Sequence, residues 1–306
     1  MPLQYRNVRQ INQCIVDNLH KIPPDVNLIV GVPRSGMVPA LMLSLYLDLP
    51  LTDLQGLIDG RTMRGGDRTR HIPQAQERKA LIVDDAIFTG KQFAEVRAEV
   101  TAANLDLEVL YCCVYARPDR VGEVDLYFEE LPGEKWLFEW NKFNHGIVPS
   151  MCVDMDGVLC RDPLPEEDDD GERYLHFIRS AEPKFRPRRK LGWIVTSRLE
   201  KYRAETVAWL ERHGIEYGEL CMMNLPTLAD RTPGKSIAHK AKVYSETPSS
   251  LFVESTLGQS NEICRLTGRP VLCTQNGELI RSSGLRGAAG RFGRLWQRVR
   301  RKLLGR

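Results

Sequence analysis

Three stretches of this chain carry residues whose types and spacing suit chemistry on phosphate esters and membranes. In the first, the apolar run LIVDD closes on two adjacent carboxylates, Asp84 and Asp85, and AIFTGKQ follows. Adjacent acids at the carboxyl end of a buried strand are costly unless a cation or a hydroxyl uses them. The TGKQ turn reads as the opening of a helix, so its backbone N–H groups and the positive helix end would face a phosphate. Acids for sugar hydroxyls beside a nest for a phosphate describe a grip on ribose 5-phosphate. In the second stretch, MCVDMDGVLC sets Asp154 and Asp156 two residues apart at a strand's end. Two carboxylates around one phosphate can divide the work, one attacking as nucleophile and the other shuttling the leaving group's proton. In the third, GRFGRLWQRVRRKLLGR read as a helix gathers Phe292, Leu295, Trp296, Val299, Leu303 and Leu304 on one stripe, with Arg and Lys elsewhere. Aromatic and aliphatic groups opposite cations make an interfacial helix for anionic lipid.

These residues need rigid elements behind them. LIVGV (28–32), ALIVDD (80–85), VLYCCVY (109–115), SMCVDMD (150–156), GWIVTS (192–197), SLFVES (250–255) and PVLCT (270–274) read as buried strands. Amphipathic stretches such as Gln92–Asn104 and Lys201–His213 lie between them. That alternation predicts parallel sheets covered on both faces. At 306 residues the chain suits two such domains. The boundaries are expected at 1–145, 146–280 and 281–306, the last being a polar Gly/Ser/Ala linker and the basic helix. The acidic run Glu166–Asp170 is expected to be a solvated loop.

Composition narrows the class. Hydrophobic residues at 42% and charged residues at 27% describe a globular protein and exclude global disorder or a fibre. No apolar run is long enough to cross a membrane, and the opening MPLQYRNVRQINQCIV lacks the pattern of a signal peptide. The eight Cys are scattered with neither zinc nor disulfide spacing, which suits reduced thiols in the cytoplasm. Net charge is +3, but Arg281–Arg306 holds nine basic residues and no acid, leaving 34 basic against 40 acidic residues elsewhere. An acidic body with a basic, striped tail points to the inner face of a cell membrane, not to nucleic acid.

The first motif set resembles the signature of type I phosphoribosyltransferases, a hydrophobic strand, DD and a TG-containing phosphate turn. The resemblance implies that Asp84 and Asp85 hold the ribose 2- and 3-hydroxyls of phosphoribosyl pyrophosphate (PRPP). Thr89, Gly90, Lys91 and Gln92 would wrap its 5-phosphate. Gln92 departs from the family, which has a hydroxyl donor there. LIVGVPRSGMVPA resembles the family's pyrophosphate loop, in which Arg34, Ser35 and Gly36 would bind pyrophosphate bridged by Mg²⁺. GLIDGRTMRGGDRTRH (56–71) would be the mobile hood. KWLFEWN (135–141) offers Trp136, Glu139 and Trp140 to stack a base, line a sugar site or pack as core.

The second set resembles the haloacid dehalogenase-like hydrolases, in their phosphatase branch. There Asp154 would be the nucleophile and Asp156 the acid. Thr196 or Ser197 would donate to phosphate, and Lys240, with Lys235 and Lys242 as rivals, would be the lysine of the family's third motif. Glu254 would complete a Mg²⁺ site with Asp154 and Asp156. Many members have a second acid where Ser255 stands. About 35 residues (158–192) separate the first two motifs, too few for a full cap domain. The implied fold class is α/β, two doubly wound parallel-sheet domains with a minimal cap and a C-terminal amphipathic helix.

A phosphoribosyltransferase followed by a phosphatase resembles the pairs that build ribofuranose into bacterial surface polysaccharides. The expected function is transfer of ribose 5-phosphate from PRPP to a glycan acceptor, held on a lipid, then removal of the phosphate. Alternatives are a nucleobase phosphoribosyltransferase fused to a nucleotidase, and a PRPP-binding regulatory protein.

Overall fold

The computed structural model describes residues 3–63 and 79–282. Residues 64–71 of the expected hood and the whole stripe from Phe292 to Leu304 lie outside the described residues. The chain divides into two compact units, Met1–Trp140 and Asn141–Arg306. The division precedes 145 because residues 141–150 pack on the second unit. Phe143 meets Phe185 with ring centroids 4.7 Å apart, and Arg189 donates to the Asn144 carbonyl.

The first unit runs β1 (Gln4–Arg6), α1 (Val8–Asn18), β2 (Leu28–Gly31), α2 (Met37–Leu47), β3 (Leu51–Asp53), α3 (Leu54–Ile58), β4 (Lys79–Ile87), α4 (Lys91–Ala103), β5 (Glu108–Ala116), β6 (Leu126–Glu130) and β7 (Trp136–Phe138). Five of its strands form a sheet in the order β3-β2-β4-β5-β6, and every pairing is parallel. β1 and β7 pair separately. Apolar side chains fill both faces of the sheet. Ile29, Leu81, Val83 and Cys112 lie in one core, while Val30, Ile82 and Cys113 lie in the other. Burial on both faces explains why these strands read as unbroken apolar runs rather than alternating ones.

The second unit runs β8 (Met151–Val153), α5 (Glu172–Ser180), β9 (Leu191–Leu199), α6 (Arg203–Arg212), β10 (Tyr217–Met223), α7 (Pro233–Glu246), β11 (Leu251–Glu254), α8 (Leu257–Thr267), β12 (Val271–Cys273) and β13 (Glu278–Ile280). The sheet order is β10-β9-β8-β11-β12-β13, parallel except for β13 at the edge.

Local sequence explains the element starts. Asn7 caps α1 in a reciprocal box with Gln10, and Thr232 caps α7 with Pro233 in the first turn. Among the described residues no helix is long and apolar enough to cross a membrane.

The acidic run is not simply solvated. Arg161 pairs with Glu167, Arg231 with Asp168, Arg173 with Asp169 and Lys201 with Asp170. Cations from four separate positions converge on the run, which sequence spacing does not disclose.

Candidate functional site

In the first unit, β2 and β4 are neighbours, so the loop after β2 and the end of β4 meet at the carboxyl edge of the sheet. Open α/β sheets bind ligands at that edge. Asp84 and Asp85 lie inside β4 rather than at its end, since the strand continues to Ile87. Both are buried. The Ser35 hydroxyl donates to Asp85 Oδ1 at 3.1 Å, and the Trp140 indole N–H donates to Asp85 Oδ2 at 2.8 Å. Asp84 Oδ1 accepts from the Asp85 backbone N–H at 2.8 Å.

Burial pushes the Asp84 carboxyl up to about 8, and the adjacent Asp85 charge adds to the rise. Burial raises Asp85 as well, but hydrogen bonds from Trp140, Asp84 and Ser35 oppose it. Both carboxyls therefore stand above the ordinary carboxylate range, and the hydrogen bonds to Asp85 counter part of its rise.

Gly36 has no room for a side chain. A Cβ there would lie 2.6 Å from the Val32 carbonyl oxygen, 2.7 Å from that of Val83 and 2.8 Å from Asp84 Oδ1. Arg34 is exposed beside it. Gly90, with φ of 80°, turns the chain into α4, and exposed Thr89, Lys91 and Gln92 surround it. The ammonium of Lys91 lies 3.7 Å from Glu95.

KWLFEWN divides its tasks. Trp136 is buried core, while Glu139 accepts from the backbone of Val8. Trp140 stacks on Phe138 with ring centroids 4.8 Å apart and reaches Asp85.

In the second unit, β8 lies between β9 and β11, and its end delivers Asp154. Lys240, projecting from α7, is buried and donates to Asp154 Oδ2 at 2.7 Å, Glu254 Oε2 at 2.8 Å and Gln259 Oε1 at 3.0 Å. Lys235 and Lys242 are exposed. Burial alone would lower the Lys240 ammonium, but Asp154 and Glu254 outweigh it and hold the group above the usual lysine range. Glu254 also accepts from the Ser255 N–H and hydroxyl. Ser255 thus braces the acid that precedes it.

Asp156 departs from expectation. Its carboxylate turns to Arg198, whose Nη2 donates to Oδ1 at 2.6 Å and whose Nε lies 3.1 and 3.2 Å from the two oxygens. The expected trio Asp154, Asp156 and Glu254 is therefore not gathered by its side chains. Among the described residues no cluster of three or more His, Cys, Asp or Glu groups is placed for a metal. The donors that remain, Asp154 and Glu254, converge on one point occupied by the Lys240 ammonium. Two carboxylates suit Mg²⁺, which takes one or two of them and completes its shell with water and phosphate oxygens.

Thr196 is buried and its hydroxyl oxygen accepts the Arg198 N–H at 3.2 Å. The Ser197 hydroxyl is buried with no partner among the described residues. The register between β9 and β10 shifts between Val195 and Leu199, so regular alternation does not run through 196–198.

Arg198, Gln259 and the Trp140–Asp85 bond were not anticipated from sequence. Arg198 had a signal only in standing two residues beyond Thr196 at the end of the same apolar run. Gln259 lies in the first turn of α8, five residues beyond Glu254. Trp140 carried no signal for a bond to Asp85.

No protein-family model matches the chain. It is similar to xanthine-guanine phosphoribosyltransferases of Roseobacter denitrificans (26% identical over 139 residues, 41% of this chain and 74% of that protein). It is also similar to that of Cereibacter sphaeroides (30% over 118 residues, 36% and 65%). Among solved structures, a purine phosphoribosyltransferase from Pyrococcus horikoshii matches with a TM-score of 0.34 and 24% identity, covering 46% of this chain and 94% of that one.

Proposed function

We propose that the chain is a bifunctional enzyme that transfers ribose 5-phosphate from PRPP to an acceptor hydroxyl and then removes the 5-phosphate. The observation that carries this reading is the presence of two carboxylate sites of complementary chemistry on one chain. One is the Asp84–Asp85 pair beside the Gly36 loop and the Gly90 turn. The other is Asp154 and Glu254 held around Lys240. Similarity to phosphoribosyltransferases supports the first activity.

In the first step Asp84 and Asp85 would hold the ribose 2- and 3-hydroxyls, Thr89 to Gln92 the 5-phosphate, and Arg34, Ser35 and Gly36 the departing pyrophosphate. The Asp85 charge favours the cationic, oxocarbenium-like state as pyrophosphate leaves. Attack from the opposite face inverts C1 and gives a β-ribofuranoside.

In the second step Asp154 would attack the phosphorus and form an aspartyl phosphate, with Lys240 and Thr196 contacting the phosphate. Asp156, once released from Arg198, would protonate the departing 5-hydroxyl and then activate water. Asp154 and Glu254 are the residues that would hold Mg²⁺, and the bound ion would draw charge from the phosphate oxygens.

A free-base acceptor would make a nucleotide only to dephosphorylate it, so a glycan hydroxyl fits the pair better. A lipid-linked acceptor fits the basic tail, which would lie on an anionic membrane surface at the inner face of the cell membrane. The xanthine-guanine relatives favour a second reading, a base as acceptor.

Asp154→Asn separates these readings. It should leave transfer intact and stop phosphate release, so that mass spectrometry finds an acceptor glycan carrying one ribose phosphate. Accumulation of a nucleotide from guanine or xanthine would favour the second reading. Loss of both steps would refute two independent sites.

A further inference from the structure

Asp85 is where two separate segments of the first unit meet. Its Oδ1 takes the Ser35 hydroxyl from the loop after β2, and its Oδ2 takes the Trp140 indole N–H at 2.8 Å. The indole is itself held. It lies nearly parallel to Phe138, with 9° between planes and 4.8 Å between centroids, and Phe138 stacks on Tyr115 of β5 at 5.5 Å. A stacked ladder anchored on a central strand gives Trp140 one orientation, and that orientation aims its only donor at Asp85. An indole N–H can donate and cannot accept, so it favours an ionised carboxylate and fixes its rotamer.

We propose that Trp140 is a positioning residue for PRPP binding, which locks Asp85 through its indole N–H so that the carboxylate stands ready for the ribose hydroxyls. The proposal rests on the PRPP reading of this site and adds a residue to it that touches neither sugar nor phosphate. Ser35 holds Oδ1 and Trp140 holds Oδ2, and of these two side chains only the indole is fixed by a stack on both Phe138 and, through it, Tyr115. Without Trp140 Oδ2 loses its indole donor, and the contact with Asp84 is no longer opposed by a rigid partner on that oxygen. The titratable groups facing Asp85 are Asp84 on its own strand and Tyr115 and Cys113 on β5. None of them is a cation that could replace the indole donor.

The test uses the full chain, with Trp140→Phe keeping the stack on Phe138 and deleting the donor. PRPP affinity by calorimetry should fall about tenfold or more, the scale of one hydrogen bond to a charged group. The acid limb of the pH profile for PRPP binding should move up by about one unit in the same variant. Trp140→His, which returns a ring N–H, should recover part of both. Independently of PRPP, the carboxyl carbon of Asp85 followed by NMR should titrate higher in Trp140→Phe than in wild type. In wild type the Trp140 indole proton should follow that same titration, a measurement that needs no variant to fold. An unchanged Asp85 titration, or an indole proton insensitive to it, overturns the proposal even where PRPP binds. Wild-type protein that ignores PRPP while the Asp85 titration still shifts would refute the PRPP reading and leave the Trp140–Asp85 lock standing.

Discussion

Replacing Lys240 by Met tests the center of the second unit without reference to catalysis. The ammonium sits between Asp154 and Glu254, with side-chain exposures of 3% for Lys240, 6% for Asp154 and 0% for Glu254. Methionine fills similar space but returns no charge, so two buried carboxylates lose their common counterion. Breaking a buried pair by removing one partner costs about 3–5 kcal/mol, because the charge left behind stays desolvated. For a domain of this size each kcal/mol shifts Tm by about 2–4 °C, so Lys240→Met should melt about 6–20 °C below wild type. The control is the triple variant Lys240→Met, Asp154→Asn, Glu254→Gln, which removes all three charges together. Replacing a whole buried ionic cluster by neutral groups is often near neutral, so the triple variant should regain more than half of the lost Tm. Melting followed by circular dichroism at pH 7.5 in the presence of a chelator reads both. A Lys240→Met protein within about 2 °C of wild type would mean that water already solvates the carboxylates. A triple variant less stable than the single one would mean that hydrogen-bond geometry, and not desolvated charge, governs the site.

Two further outcomes follow from the first unit. The folded Asp84 carboxyl titrates near 8, above its ordinary value of 3.8, so its contribution to stability is whole below about 3.8 and is lost as pH rises through about 8. Asp84→Asn should flatten the decline in Tm between pH 5 and pH 8.5 and melt higher than wild type at the alkaline end; identical slopes would assign the proton elsewhere. Gly36→Ala forces a methyl within 2.6 and 2.7 Å of two backbone carbonyl oxygens, which cannot move as a flexible side chain can. Overpacking of this kind costs about 1–3 kcal/mol, and denaturant unfolding should show it together with a loss of PRPP affinity. An unperturbed Gly36→Ala protein would mean that the loop shifts freely.

The strands, the helix that opens after Gly90 and the order of the motifs were legible in the sequence, because each depends on residues close together in the chain. An apolar run between turn residues, Asp154 at the close of β8 and a glycine ahead of a helix are set by local spacing, whereas the extent of β4 past Asp84 and Asp85 was not legible. Partners were not legible. Three lysines in or beside IAHKAKVY suited the same role, and only the packing of α7 against the second sheet turns Lys240 inward and leaves Lys235 and Lys242 exposed. The Asp85–Trp140 bond joins β4 to a segment beyond β7, and the Asp156–Arg198 pair joins the end of β8 to β9. Asp156 read from sequence as a proton shuttle and metal ligand, and Glu166–Asp170 as solvated charge; Asp156, Asp168 and Asp170 instead pair with Arg198, Arg231 and Lys201, cations distant in the chain. Such pairings follow from strand order. With β4 beside β2, Ser35 reaches Asp85, and with β8 between β9 and β11, Asp154 faces Glu254 while Arg198 meets Asp156. Local sequence determines which side chains arrive at the carboxyl edge of each sheet. Neighbouring strands decide which of them touch, because that contact depends on register between segments that the chain order does not bring together.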